Sequence, residues 1–106
     1  MLKDEIEKDL NKLIEDKVIG EQDRDVFRMI LALLKLGPDK KKVKEIADFP
    51  DFELSWRRLE KNGYFGKGKD RGKILLDYDT GTKNSLIISL LMMALVAKGY
   101  AKRVTI

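Results

Sequence analysis

The chain has 106 residues, 38% of them charged, with a net charge of +4 and neither cysteine nor histidine. Those absences exclude disulfide frameworks, zinc fingers, iron–sulfur clusters, thiol nucleophiles and every mechanism that needs an imidazole. A binding module is expected rather than an enzyme, with no cofactor and no metal, in one domain that buries roughly 65% of its unfolded surface.

In chain order, Leu2, Ile6, Leu10, Leu13, Ile14 and Val18 recur mostly at steps of three and four, which predicts an amphipathic helix over 2–18 that Gly20 ends. Asp23 is placed to cap a second helix over 24–36, whose broad apolar arc (Val26, Phe27, Ile30, Leu31, Leu34, Leu36) predicts a central position. Gly37-Pro38 stops it. A short helix over 40–48 turns Val43, Ile46 and Ala47 inward and its lysines mostly outward, and Pro50 then forces a turn at 48–51. A fourth helix over 52–62 repeats Phe52, Trp56 and Leu59 on one side, with Gly63 at its end. The helical period then gives way to an extended one. Tyr64-Phe65 and Lys73–Tyr78 are expected as two strands around the loop Gly66–Gly72. Residues 83–98 form a last helix, apolar almost all round from Leu86 to Val96, before Gly99.

Charge divides along the same order. Residues 1–25 carry nine acids and five bases, whereas residues 26–106 carry nine acids and 17 bases. A basic working surface set apart from an acidic element is the expectation, and phosphates reward clustered Lys and Arg. The opposing possibility is that lysine-rich faces are only solvated. The N-terminus has no apolar core of the signal-peptide kind, and the uncharged run Asn84–Ala97 is shorter than the ~20 residues that cross a bilayer. A cytoplasmic protein with no membrane contact is expected.

The segment 43–65, VKEIADFPDFELSWRRLEKNGYF, resembles the winged helix-turn-helix family: Glu45-Ile46-Ala47 closes one helix, and Leu59, three polar positions and Gly63-Tyr64-Phe65 close the next. Residues 26–79 look like the winged-helix core, and the flanking helices 2–18 and 83–98 resemble the dimerisation helices of small MarR-like transcriptional regulators. The resemblance implies a mainly α fold with one β-hairpin (α+β). It also implies sequence-specific binding of double-stranded DNA by a homodimer.

On that basis Ser55, Arg57 and Arg58 are candidate base-contacting residues of a recognition helix, since arginine pairs with guanine O6 and N7. Arg58 leads, because it has no acid three or four residues away, whereas Arg57 has Glu53 and Glu60. Asp51 and Glu53 oppose DNA contact there. Lys67, Lys69, Arg71 and Lys73, spaced by glycines, are candidates for a wing that reaches phosphate or the minor groove. Lys40, Lys41, Lys42 and Lys44 would add phosphate contacts. Leu2, Ile6, Leu10, Leu13, Leu86, Leu90 and Met93 are candidates for dimerisation, because so short a chain has little interior for an all-apolar helix. Trp56 fits a core position better than a stacking platform, and Met92-Met93 fits interior packing. Gly66, Gly68 and Gly72 do not match a dinucleotide fingerprint, and Asp77 and Asp79 lack the glutamate of an EF-hand. The alternatives are a protein-interaction or assembly module that does not bind DNA, and a regulator with a small-molecule effector between the dimer helices.

Overall fold

The computed structural model describes residues 1–61 and 83–100, with the backbone alone over 83–89. Its elements are α1 (Leu2–Glu15), a 3-10 turn (Glu21–Asp23), α2 (Arg24–Leu36), α3 (Lys40–Ile46), α4 (Phe52–Lys61) and α5 (Lys83–Ala97). The chain forms two units, Met1–Phe52 and Glu53–Ile106.

In the first unit α2 is the centre. Val26, Phe27 and the run Met29–Leu33 are all buried, too many for a single stripe. The helix therefore needs cover on several sides, and α1, the 3-10 turn and α3 all pack against it. α1 contributes Ile6 and Leu10, both fully buried, and α3 contributes Val43. Polar pairs set the α1–α2 register. Arg28 donates through Nε to Glu7, Arg24 donates to Asn11 at 3.0 Å, and Lys35 meets Asp9 at 3.9 Å. The pairs Glu7–Arg28 and Asn11–Arg24 run in opposite directions along the two helices, so α1 and α2 are antiparallel.

Local signals explain the helix ends. α1 stops at Glu15, three residues before the expected end. Lys17 takes a left-handed φ of 59°, its N–H donates to Ile14 at 3.0 Å, and the Val18 N–H donates to Leu13 at 2.9 Å. These are the two bonds of a Schellman motif, normally built on glycine. α2 spans its expected residues, but Asp23 turns its carboxylate back to the Gly20 N–H at 3.2 Å. Asp39 caps α3 by accepting from the Lys42 N–H at 3.2 Å. The turn expected at 48–51 is present: the Phe52 N–H donates to Phe49 at 2.9 Å, and the two rings meet edge to face at 6.0 Å. Along α4, Phe52, Ser55, Trp56 and Leu59 are buried.

The expected α+β class is corrected to all-α. Among the described residues there are five α-helices, one 3-10 turn and no strand. The β component rested wholly on one two-stranded hairpin at 64–78, and an isolated hairpin is marginal in water. That stretch lies outside the described residues, and no described segment offers it a third strand. The winged-helix assignment falls with the class. Some of the expected dimerisation residues are buried within one copy, while Leu91 and Leu95 of α5 are exposed. Ile6 and Leu10 are covered by the chain's own packing, and in α5 Leu90 and Met93 are buried in a single copy.

The Arg28 hydrogen bond holds the Glu7 carboxyl below its ordinary value of 4.5, with the charges of Arg28, Arg24 and Lys3 adding to it and partial burial opposing it. A carboxyl with a depressed folded pKa stabilises fully above the unfolded value and loses that contribution as pH falls through the folded one. Thermal melting followed through acid will therefore show stability declining from about pH 4.5 downward. Glu7→Gln will flatten that decline and cost about 1 kcal/mol near neutrality. Lys17→Gly will stabilise by about 0.5 kcal/mol in urea unfolding, because relief of the left-handed strain exceeds the added freedom of the unfolded chain.

Candidate nucleic-acid interface

Lysine and arginine separate by location. On α3, Lys40, Lys41 and Lys42 are exposed, and Lys41 and Lys42 have no ion-pair partner among the described residues. Asp39, the nearest acid, spends its carboxylate on the Lys42 backbone. Lys44 is different: half-buried, with its ammonium 5.8 Å from the centre of the Phe52 ring. That cation–π contact stabilises the end of the unit and removes Lys44 from the outward group.

Many acids of the N-terminal stretch are engaged inside the chain. Glu7 is shared by Arg24 and Arg28, Glu21 takes a two-point contact from Arg24, and Asp25 accepts from Arg28 at 2.8 Å. Asp16 meets Lys12 at 3.6 Å and Asp9 meets Lys35. The Arg24 hydrogen bond lowers the Glu21 pKa despite its exposure, and the Arg24 and Arg28 pKa values rise in return, each chiefly through its carboxylate hydrogen bond. Much of the acidic N-terminal charge is thus paired with cations of the chain, though most of these carboxylates stay exposed.

The base-contacting candidates on α4 fare unequally. Ser55 is 2% exposed and cannot meet a base edge. This follows from its place one step from Trp56, on the flank of the buried stripe, so the expectation for Ser55 is corrected. Arg57 is exposed and pairs with neither Glu53 nor Glu60. Arg58, the leading candidate, is half-buried and donates from Nη1 to the Ala97 carbonyl at 3.2 Å. The absence of a local acid does not leave it outward, because the side chain is turned toward α5. With Ser55 buried and Arg58 committed, the exposed face of α4 is Glu53, Leu54, Arg57, Glu60 and Lys61. Alternating charge of that kind is poorly suited to reading bases.

The end of α5 explains why Arg58 is held. Lys98, Gly99 and Tyr100 donate their N–H groups to Ala94, Val96 and Leu95 at 2.9, 3.0 and 2.9 Å. Gly99 supplies the left-handed φ of 83° that this cap needs. The pattern accounts for three of the last four carbonyls and leaves that of Ala97, a fully buried residue, for which Arg58 is the donor among the described residues. The left-handed backbone is what requires glycine; added bulk would only push the arginine tip aside. A Cβ at position 99 would lie 2.8 Å from both Cζ and Nη1 of Arg58. Spacing along the sequence marks Gly99 as a stop but not its partner, because the two groups are brought together from opposite ends of the second unit.

Lys67, Lys69, Arg71 and Lys73 lie outside the described residues. Of the dimerisation candidates, Ile6, Leu10, Leu90 and Met93 are buried in their own chain, Leu2 and Leu13 are half-buried, and the Leu86 side chain is outside the described residues. Among the described residues, the large apolar side chains left outward are Leu54, Leu91, Leu95 and Tyr100, apart from Met1. No group of three or more metal-binding side chains occurs among the described residues, and none of their helices is long and apolar enough to cross a membrane. No protein-family model, curated protein or solved structure matches the chain.

Arg58→Met keeps most of the side-chain stem but removes the donor to Ala97. It will cost about 1.5 kcal/mol in urea unfolding, the range expected when a buried acceptor is left without its partner. A variant as stable as the natural chain would show that the contact is dispensable.

Proposed function

We propose that the chain binds double-stranded DNA through its phosphates, with little reading of base sequence. One observation carries this: Lys40, Lys41 and Lys42 are outward together on α3, and several acids of the N-terminal stretch are paired with cations of the chain. Exposed ammonium groups release condensed counterions from a duplex and bind it without regard to sequence. Arg57 and Lys61 add outward cations on α4, and the sequence adds Lys67, Lys69, Arg71 and Lys73. A role in regulating transcription would need base contacts, which buried Ser55 cannot supply.

The exposed Leu91 and Leu95, 36% and 42% accessible and one turn apart on α5, favour a second reading. They suit a protein partner, a second copy of this chain included. Light scattering separates a self-associating chain from a monomer.

Fluorescence anisotropy with a labelled duplex across a salt series tests the first reading. Affinity will fall steeply with salt. Lys41→Ala with Lys42→Ala will reduce the slope of log K against log salt by roughly 2, near 0.9 for each phosphate no longer neutralised. Unrelated duplex sequences will compete about equally. No binding at low salt overturns the proposal.

A further inference from the structure

We propose that α5 pairs antiparallel with α5 of a second copy along a seam of Ile88, Leu91 and Leu95. This deepens the second reading above, that the outward leucines meet a protein, and does not depend on phosphate binding. One side of α5 is spent within its own chain, where Leu90, Met93, Ala94, Val96 and Ala97 are buried. Leu91 and Leu95 lie outside that set and are exposed. Single outward leucines are ordinary on a protein surface. These two are one turn apart, and the sequence continues their spacing back to Ile88, which holds the register position three residues before Leu91. Steps of three and then four are those of a helix–helix seam, in which each apolar knob enters a hole on the facing helix.

Charge decides the occupant. Each copy carries a net +4, so two copies meet most easily where charge is absent. α5 provides such a place: residues 84–97 contain no charged side chain, whereas α1, α3 and α4 turn charges outward. Foreign partners are selected by charges beside a seam, and α5 has none to offer between its ends. A like face is its fitting complement, and a two-fold pair satisfies both copies at once. Charge also sets the direction. Residues 98–106 carry Lys98, Lys102 and Arg103 and no acid. A parallel pair would bring both sets to one end. In the antiparallel pair Leu95 of one copy lies against Leu91 of the other. The two Lys98 positions then fall roughly 15 Å apart along the axis, beyond a Debye length of about 8 Å. A single helix pair is a small interface, so the dimer forms reversibly at micromolar concentrations and above.

Sedimentation equilibrium on the full chain, from micromolar to millimolar concentration, tests the seam. The natural chain will dimerise reversibly, and Leu95→Glu will weaken the association at least about tenfold while circular dichroism stays unchanged. If Leu95→Glu does not fold, Leu95→Ala, which introduces a strong helix former, takes its place with a smaller loss. A monomer at every concentration overturns the pairing and leaves a different protein as the partner of the leucines. A dimer that the substitution leaves intact overturns the seam and the reading beneath it. For direction, the chain's lack of cysteine makes introduced thiols unambiguous. Leu91→Cys and Leu95→Cys chains, mixed and gently oxidised, will cross-link to each other in excess over the statistical share. A statistical mixture, or an excess of like-with-like cross-links, overturns the antiparallel arrangement.

Discussion

The enclosure of α2 is the constraint to which the Met1–Phe52 unit answers. A helix with seven buried side chains among thirteen residues cannot stand with one face in water, so α1 and α3 must both lie on it. What remains of its surface is the polar strip through Arg24, Arg28 and Lys35. That strip determines which acids of α1 are useful, and Glu7 and Asp9 lie opposite it. The acidity of the N-terminal region is therefore a consequence of packing. Part of it matches the cations of α2, while the lysines of α3 remain outward.

Arginine and lysine divide the work according to their chemistry. Arg24 and Arg28 each hold two or more side chains together, Arg58 reaches a backbone carbonyl, and all three are partly withdrawn from water. A planar guanidinium with five donors and weak hydration suits such positions. The lysines of α3 are strongly hydrated point charges with long flexible stems, which suits outward contact with phosphate. Lys44 is an exception: half-buried, it sets its charge over the face of Phe52.

Helices were legible wherever apolar spacing, caps and breakers agreed. α2 was read to its residue limits because Asp23, the apolar arc and Gly37-Pro38 all pointed the same way, and the core role of Phe52, Trp56 and Leu59 followed from spacing alone. Less was legible where an end lacked its usual residue. Lys17 occupies a position that normally belongs to glycine, so the spacing carries the expected helix on to residue 18 and leaves Gly20 as the breaker. The site was harder still. A residue without a nearby acid in sequence was taken to face a ligand, although Arg58 meets a carbonyl 39 residues away. Ser55 falls toward an edge of the helix in sequence, and the buried arc of α4 is wide enough to include it. Tertiary partners and the width of a buried arc are set by packing, and neither is written in local spacing.

The same packing limits the kind of recognition this chain can perform. Base reading depends on side chains held in a fixed direction by their neighbours, with donors or acceptors aimed at a groove edge. In α4 the held side chains are Ser55, which is inside, and Arg58, which is aimed at α5. The outward side chains of that helix, Arg57 and Lys61, are long, unpaired among the described residues and separated by Glu60. Long cations without such support contribute charge more than direction. Phosphates, which repeat along any duplex and accept from many angles, are matched to such groups, whereas base edges are not.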